Sequence, residues 1–192
     1  KVLVLDDDKT VSVGSRAICF AKRTLEIMDR LGVGDALLKK GIVWKIGKVF
    51  FGQDQVYQFD LLPEDGHRMP AFVNLQQYHF EKAETDWLQS HPLVEMRWQS
   101  RVTNVTDTAR DVLIDIETPD GPYRIRADWV LAADGARSAI RKMLDLDFHG
   151  QVFKDRFLIA DVVMKADFPS ERWFWFDPPF NPGQSALLHM QA

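Results

Sequence analysis

The stretch ADWVLAADGARSAIRKML (127–144) decides how this chain is read. An apolar run, WVLAA (129–133), meets Asp134-Gly135, and a short segment rich in alanine and arginine follows. The run predicts a strand, and Ser138 and Arg141 sit where a helix would open behind it. Gly135 lets the backbone bend sharply or approach a ligand closely. A carboxylate at the carboxyl end of a strand stands where open α/β sheets bind ligands. These residues alone leave two readings open: a turn that starts a helix, or one corner of a ligand site.

Composition narrows the surroundings. The chain has 192 residues, 46% hydrophobic and 27% charged, enough for one ordinary domain or two small ones around a real core. A net charge of -4 argues against a nucleic-acid partner, because phosphate contacts need a basic surface. No apolar run approaches the ~20 residues of a membrane span, so no membrane partner is expected. Cys19 is the only cysteine and has no intramolecular partner, which fits a reducing cytoplasm and a small buried hydrophobe on a helix. The five histidines show no ligand-like spacing, and no metal site is expected. Oligomerisation is left open.

Outward from 127–144, the pattern alternates. KVLVLDDD (1–8) reads as a buried strand ending in acid, and so apolar a strand calls for a neighbour on each side, one of them N-terminal to Lys1. Ile18, Leu25, Met28 and Leu31 form a stripe that predicts a helix over about 16–31, with Gly32 as its stop. Ser15 is placed to cap it, and Asp35 to cap a second helix ended by Gly41. WKIGKVFF and VYQFDLL flank GQDQ as a hairpin with a four-residue loop, and AFVNL follows as a short strand. Residues 76–90 read as an amphipathic helix, followed by strands LVEMRW, RVTNVT, DVLIDIET and YRIRA. RFLIADVVMKAD, ERWFWF and SALLHM add further strands after 150. The fold class is therefore α/β: a partial Rossmann-type domain (1–42 and 76–149) interwoven with a β-rich domain (43–75 and 150–192).

Candidate functional residues lie at the junctions. Asp6 ends the first strand, where a Rossmann unit keeps a carboxylate for a ribose; a solvated acidic run explains Asp6-Asp7-Asp8 equally well. Arg16, at the predicted mouth of the first helix, opposes the helix dipole, which hints at an anionic partner such as a diphosphate. LQQYHFE (75–81) leads a strand into a helix with two glutamines, each offering donor and acceptor. Tyr78 and Lys82 have the Tyr-x-x-x-Lys spacing of short-chain dehydrogenases, a reading rejected for want of a glycine-rich loop near the start. No nucleophile-base set is visible, and no catalytic side chain is assigned.

Taken together, these motifs resemble the FAD-dependent aromatic hydroxylases, single-component flavoprotein monooxygenases like p-hydroxybenzoate hydroxylase, and most of all their 3-(3-hydroxyphenyl)propionate hydroxylase-like branch. VLAADGARSAIRKML is similar to that family's Asp-Gly motif, VLVLD…GSRA…RTLEIMDRLG to its second strand and following helix, and LQQYHFE to its Gln-x-x-Leu-Glu segment, with Phe80 at the leucine position. The resemblance implies a cofactor site in which Asp6 meets the adenosine ribose, Arg16 the diphosphate or flavin side, Gln77 the ribityl or diphosphate region, and the Val102 backbone the adenine. Asp134 would serve the FAD and the nicotinamide-cofactor site.

It also implies that NAD(P)H reduces FAD and that a peroxyflavin hydroxylates a phenolic or other aromatic substrate. Aromatics of the β-rich segments (Trp44, Phe50, Phe51, Phe59, Phe72, Trp173, Phe174, Trp175) suit the apolar wall of such a pocket, or plain sheet core. The family's Gly-x-Gly-x-x-Gly loop is expected before Lys1 and its Gly-Asp motif after Ala192, which makes this an internal fragment with FAD binding weakened or lost. Rival readings are a halogenase or reductase of the same fold, and a non-catalytic module that binds an aromatic ligand or a protein partner.

Overall fold

A computed structural model describes residues 1–14 and 16–192 and divides them into two compact units. The helix cap expected of Ser15 lies outside the described residues.

The first unit joins Lys1–Thr10 to Pro92–Val163. Strand β1 (Val2–Leu5) pairs in parallel with β7 (Val94–Arg97), its one partner among the described residues, in register from Val2 opposite Val94 to Leu5 opposite Arg97. Strands β8 (Arg101–Asp107), β9 (Val112–Thr118) and β10 (Gly121–Ala127) form an antiparallel meander. Along β9 the period-2 alternation buries Ile114 and Ile116, while Asp115 and Glu117 face out to pair with Arg124 and Arg101. Helix α4 (Ala139–Met143) packs against β8.

Two expected strands are absent from this unit. WVLAA (129–133) and RFLIADVV (156–163) take no regular structure, and Leu131 and Val163 are 94% and 100% exposed. A strand needs a neighbour for its backbone N–H and C=O groups, and neither segment has one among the described residues.

The second unit joins Val11–His91 to Met164–Ala192. Its small sheet centres on β6 (Phe72–Asn74), flanked antiparallel by β2 (Cys19–Ala21) and β3 (Ile42–Trp44). The predicted first helix is thus shorter than its stripe. Residues 19–21 are drawn into the sheet, α1 runs only over Lys22–Arg30, and Cys19 lies on a strand rather than a helix. Tertiary pairing overrides the helical period there. Gly32, at φ +86°, closes α1: its N–H bonds the Asp29 carbonyl while Val33 N–H bonds Met28, the two bonds of a Schellman stop.

Helix α2 (Gly34–Lys40) has no side-chain cap. Asp35 falls inside its first turn and instead pairs with Arg68, at 2.6 Å. Gly41 ends α2 for want of space: a Cβ there would lie 2.1 Å from Val73 Cγ1. Leu25, Leu37, Met69, Val73, Leu75 and Phe80 form the core, with α3 (Gln77–Ser90) contributing Phe80.

The larger sheet orders β12 (Ser185–His189), β11 (Glu171–Phe176), β4 (Ile46–Phe51) and β5 (Asp54–Asp60). The β4–β5 hairpin closes through two residues, Gly52 and Gln53, not four; Gly52 at φ +59° supplies the positive dihedral that a tight turn demands.

One buried side chain links the two sheets of this unit. Asn74, 1% exposed, accepts from the Trp44 indole N–H at 2.8 Å and donates to the Met190 carbonyl at 2.8 Å. Replacing Asn74 with Ala strands both partners in the interior and is expected to cost about 2–4 kcal/mol, since each buried unpaired group costs ~1–3 kcal/mol; urea unfolding measures it. The shortened α1 also separates its apolar residues. Leu25→Ala should cost about 2–5 kcal/mol, and Ile27→Ala, 41% exposed, markedly less in the same assay.

Candidate functional site

Of the sequence-predicted residues, Arg16 and Gln77 lie together in the second unit. Gln77 opens α3, and its Oε1 accepts the Ala17 backbone N–H at 3.1 Å, which holds the loop carrying Arg16 against the helix start. Gln77 Nε2 donates to Glu81 Oε1 at 2.6 Å, and Ser12 Oγ donates to Glu81 Oε2 at 3.1 Å. Ser12 and Ala17 are therefore each tied to α3. These bonds leave one N–H and one lone pair of the Gln77 amide for a ligand.

Arg16 is exposed and has no ion-pair partner among the described residues. Because α1 begins at Lys22, Arg16 stands in the loop before β2, not in a first helical turn, and the dipole argument does not apply to it. Next to Gln77, Gln76 donates to the Ala192 carbonyl at 2.7 Å, while its Oε1 is buried with no donor. The Arg16 guanidinium suits an anionic group, and the Gln76 oxygen calls for a donor such as a ligand hydroxyl.

Asp6, Val102 and Asp134 lie in the first unit. Asp6 follows β1 at its carboxyl end, and its Oδ1 accepts the Asp8 N–H at 2.8 Å, folding the acidic run into a turn. Its carbonyl accepts the Ser100 N–H at 2.8 Å, which sets Asp6 beside the start of β8 and so near Val102. Val102 pairs with Ile116 at a register shift that loosens the ladder.

Asp134 caps α4. Its Oδ1 accepts from Ser138 Oγ at 2.6 Å and its Oδ2 from Ile140 N–H at 3.0 Å, while Ser138 Oγ accepts Arg141 N–H at 2.9 Å. Gly135, at φ +77°, allows the bend between them. Partial burial raises the Asp134 pKa, but hydrogen bonds from Ser138 and the helix-start amides outweigh it and hold the carboxyl below its ordinary value. Ser12 carries no signal in the sequence, and Glu81 enters there only as the glutamate of the LQQYHFE segment, one helical turn after Gln77.

The FAD binding domain family matches residues 1–188. The chain is 30% identical over 165 residues to the para-nitrophenol 4-monooxygenase of Pseudomonas sp. (strain WBC-3), a match covering 84% of this chain and 41% of that protein. It is 23% identical over 164 residues to the 3-(3-hydroxy-phenyl)propionate/3-hydroxycinnamic acid hydroxylase of Mycolicibacterium smegmatis, covering 85% of this chain and 29% of that one. Among solved structures, p-nitrophenol 4-monooxygenase PnpA from Pseudomonas putida superposes with a TM-score of 0.72 at 28% identity, covering 79% of this chain and 39% of that one. The chain thus spans well under half the length of these relatives. This chain belongs to the FAD binding domain family, with FAD-dependent aromatic hydroxylases as its relatives and a Rossmann-type FAD domain as its fold class.

The cap on α4 predicts a pH dependence. A depressed carboxyl contributes stability that is full above its unfolded pKa, ~3.9, and lost as pH falls through the lower folded value. Exchange protection of the Ile140 amide should therefore persist at neutral pH and collapse in acid, and Asp134→Ala should abolish it at every pH. Unchanged protection in the variant contradicts the cap.

Proposed function

We propose that the chain supplies part of the FAD site and part of the substrate wall of an FAD-dependent aromatic hydroxylase that uses NAD(P)H and O₂ to hydroxylate a phenolic ring. The observation that carries this is the Gln77–Ala17 tether, which brings Arg16 and the orphan Gln76 oxygen to the start of one helix in a chain of the FAD binding domain family. The relatives named above are named for para-nitrophenol and for 3-(3-hydroxy-phenyl)propionate, and a phenolic ring is what the two share.

In this reading Arg16 neutralises the diphosphate, and Gln77 both fixes the Arg16 loop and offers its remaining N–H to the ribityl chain or diphosphate. Asp6 accepts from the adenosine ribose, the Val102 backbone meets the adenine, and Asp134, which caps α4, serves the FAD and the nicotinamide-cofactor site. FAD, when bound, supplies the redox chemistry between NAD(P)H, O₂ and the ring. The protein's task is to orient the ring and keep water out, and no side chain must act as a nucleophile. Residues 1–42 and 76–149 serve the cofactor, and 43–75 and 150–192 the substrate.

We also read the chain as the middle of a longer protein that supplies a Gly-x-Gly-x-x-Gly loop and a Gly-Asp motif. Support comes from the apolar run WVLAA, whose Leu131 is 94% exposed, and from β1, which has one strand neighbour among the described residues where its apolar sequence suits two. A cytoplasmic setting suits the lone Cys19; no helix among the described residues is long and apolar enough to cross a membrane.

The full-length protein should purify yellow and oxidise NADPH faster when a phenol is added. Arg16→Ala should weaken FAD binding about tenfold, the order of one charge-assisted hydrogen bond (~1.5–3 kcal/mol), as read by flavin fluorescence. A colourless protein after FAD is supplied overturns the reading.

A further inference from the structure

A cleft of about 590 Å³ opens in the first unit. Its lining comes from residues 97–100, which lead from β7 into β8, and from residues 118–120 at the β9–β10 turn, with Tyr123 of β10. Asp6 and Val102, the residues read toward the adenosine of FAD, are not among its described lining.

Gln99 stands at φ +50°, in the left-handed region that a residue with a long side chain rarely enters. Its N–H bonds the Asp8 carbonyl at 2.8 Å and the Ser100 N–H bonds that of Asp6 at 2.8 Å, so the turn is pinned. Glycine serves a turn that needs only a positive φ. Glutamine adds an amide, which here is exposed and has no hydrogen-bond partner among the described residues. A costly backbone conformation that presents an unused polar group points to a ligand.

The remaining lining limits which ligand. The Arg97 guanidinium is committed: Nε and Nη2 donate to Glu95 Oε1 at 2.8 and 2.6 Å, and Nη1 to the Tyr123 hydroxyl at 3.1 Å. Asp120 is exposed and has no cation among the described residues. The uncommitted charge at the cleft is therefore negative, which opposes a phosphate or carboxylate there. Four groups stay available: the Gln99 amide as donor and acceptor, the Asp120 carboxylate as acceptor, and the Trp98 indole N–H and Tyr123 O–H as donors. An amide matches the N6–H and N7 edge of adenine with two hydrogen bonds. A carboxylate accepts from ribose hydroxyls. Aromatic side chains offer a base a stacking surface.

We propose that this cleft binds an adenosine moiety other than that of FAD, with Gln99 reading the adenine edge and Asp120 the ribose. Any phosphates attached to it stay outside the cleft. The inference goes beyond the hydroxylase reading and does not depend on it.

The test is calorimetry with adenosine on the full-length protein, with saturating FAD present throughout. Adenosine should bind once per chain, and inosine, which carries an oxygen in place of the N6 amine, about tenfold more weakly. Gln99→Gly suits the positive φ, so it should leave Tm unchanged or raised while weakening adenosine about tenfold. Asp120→Asn keeps an Asn-Gly turn; it should weaken adenosine but leave binding of the base adenine unchanged. NADH added as a competitor identifies the source, and the proposal stands either way. Displacement of adenosine assigns the cleft to the adenosine end of a nicotinamide cofactor, and simultaneous binding to a separate nucleoside. Adenosine that binds only when FAD is withheld overturns the proposal, as does no binding at all. Equal affinity for adenosine and inosine, or unchanged affinity in Gln99→Gly, overturns it too.

Discussion

The second unit depends on Asn74. Its backbone lies in β6, between β2 and β3, and its side chain reaches the Trp44 indole on one side and the Met190 carbonyl just beyond β12 on the other. An amide 1% exposed is costly unless both its donor and its acceptor are used, and here both are. This is what registers the small sheet against the end of the large one. Trp44 then stacks on Phe72 at 4.9 Å and presents its ring to Arg172. The ring that faces the half-buried Arg172 guanidinium is thus held by a single buried amide.

A second polar knot, at the exposed end of the same unit, does for a loop what Asn74 does for the sheets. Gln77 and Glu81 of α3 hold Ala17 and Ser12. Below them Phe20 stacks on Phe80 at 4.2 Å, so the strand leaving the loop and the helix receiving it are also joined through the core. Polar bonds above and ring packing below leave Arg16 exposed on a fixed base. That suits binding of an anion, because a held loop loses little freedom when the anion arrives.

Local chemistry was legible in the sequence where it acts alone. The acid-ended first strand, the helix over 77–90, the β9–β10 hairpin and the Asp134–Ser138 helix start all follow from period, turn residues and caps. Boundaries set by distant residues were not. Cys19–Ala21 carry the helical stripe of their neighbours, yet β6, more than 50 residues later, takes them into a sheet. Asp35 looked like a cap because Arg68, its actual partner, is remote in sequence. WVLAA and RFLIADVV carry strand-like apolar sequence but form no strand, because a strand is made by its neighbour and neither pairs in a sheet among the described residues. Gln77 and Arg16 are candidates by residue type alone, whereas the bond from Ala17 N–H to Gln77, 60 residues apart in sequence, leaves no local pattern to read.

The central proposal is that Arg16, Ala17 and the start of α3 in the second unit meet FAD, as does, in the first unit, the acidic turn after β1. Hydrogen exchange of the full-length protein, followed peptide by peptide with and without FAD, tests it most directly. The account predicts that FAD slows exchange at Arg16–Ala17, at Gln76–Gln77 and at Asp6–Asp8, with little change in the β4–β5 hairpin. FAD bound with protection confined to other segments would contradict it.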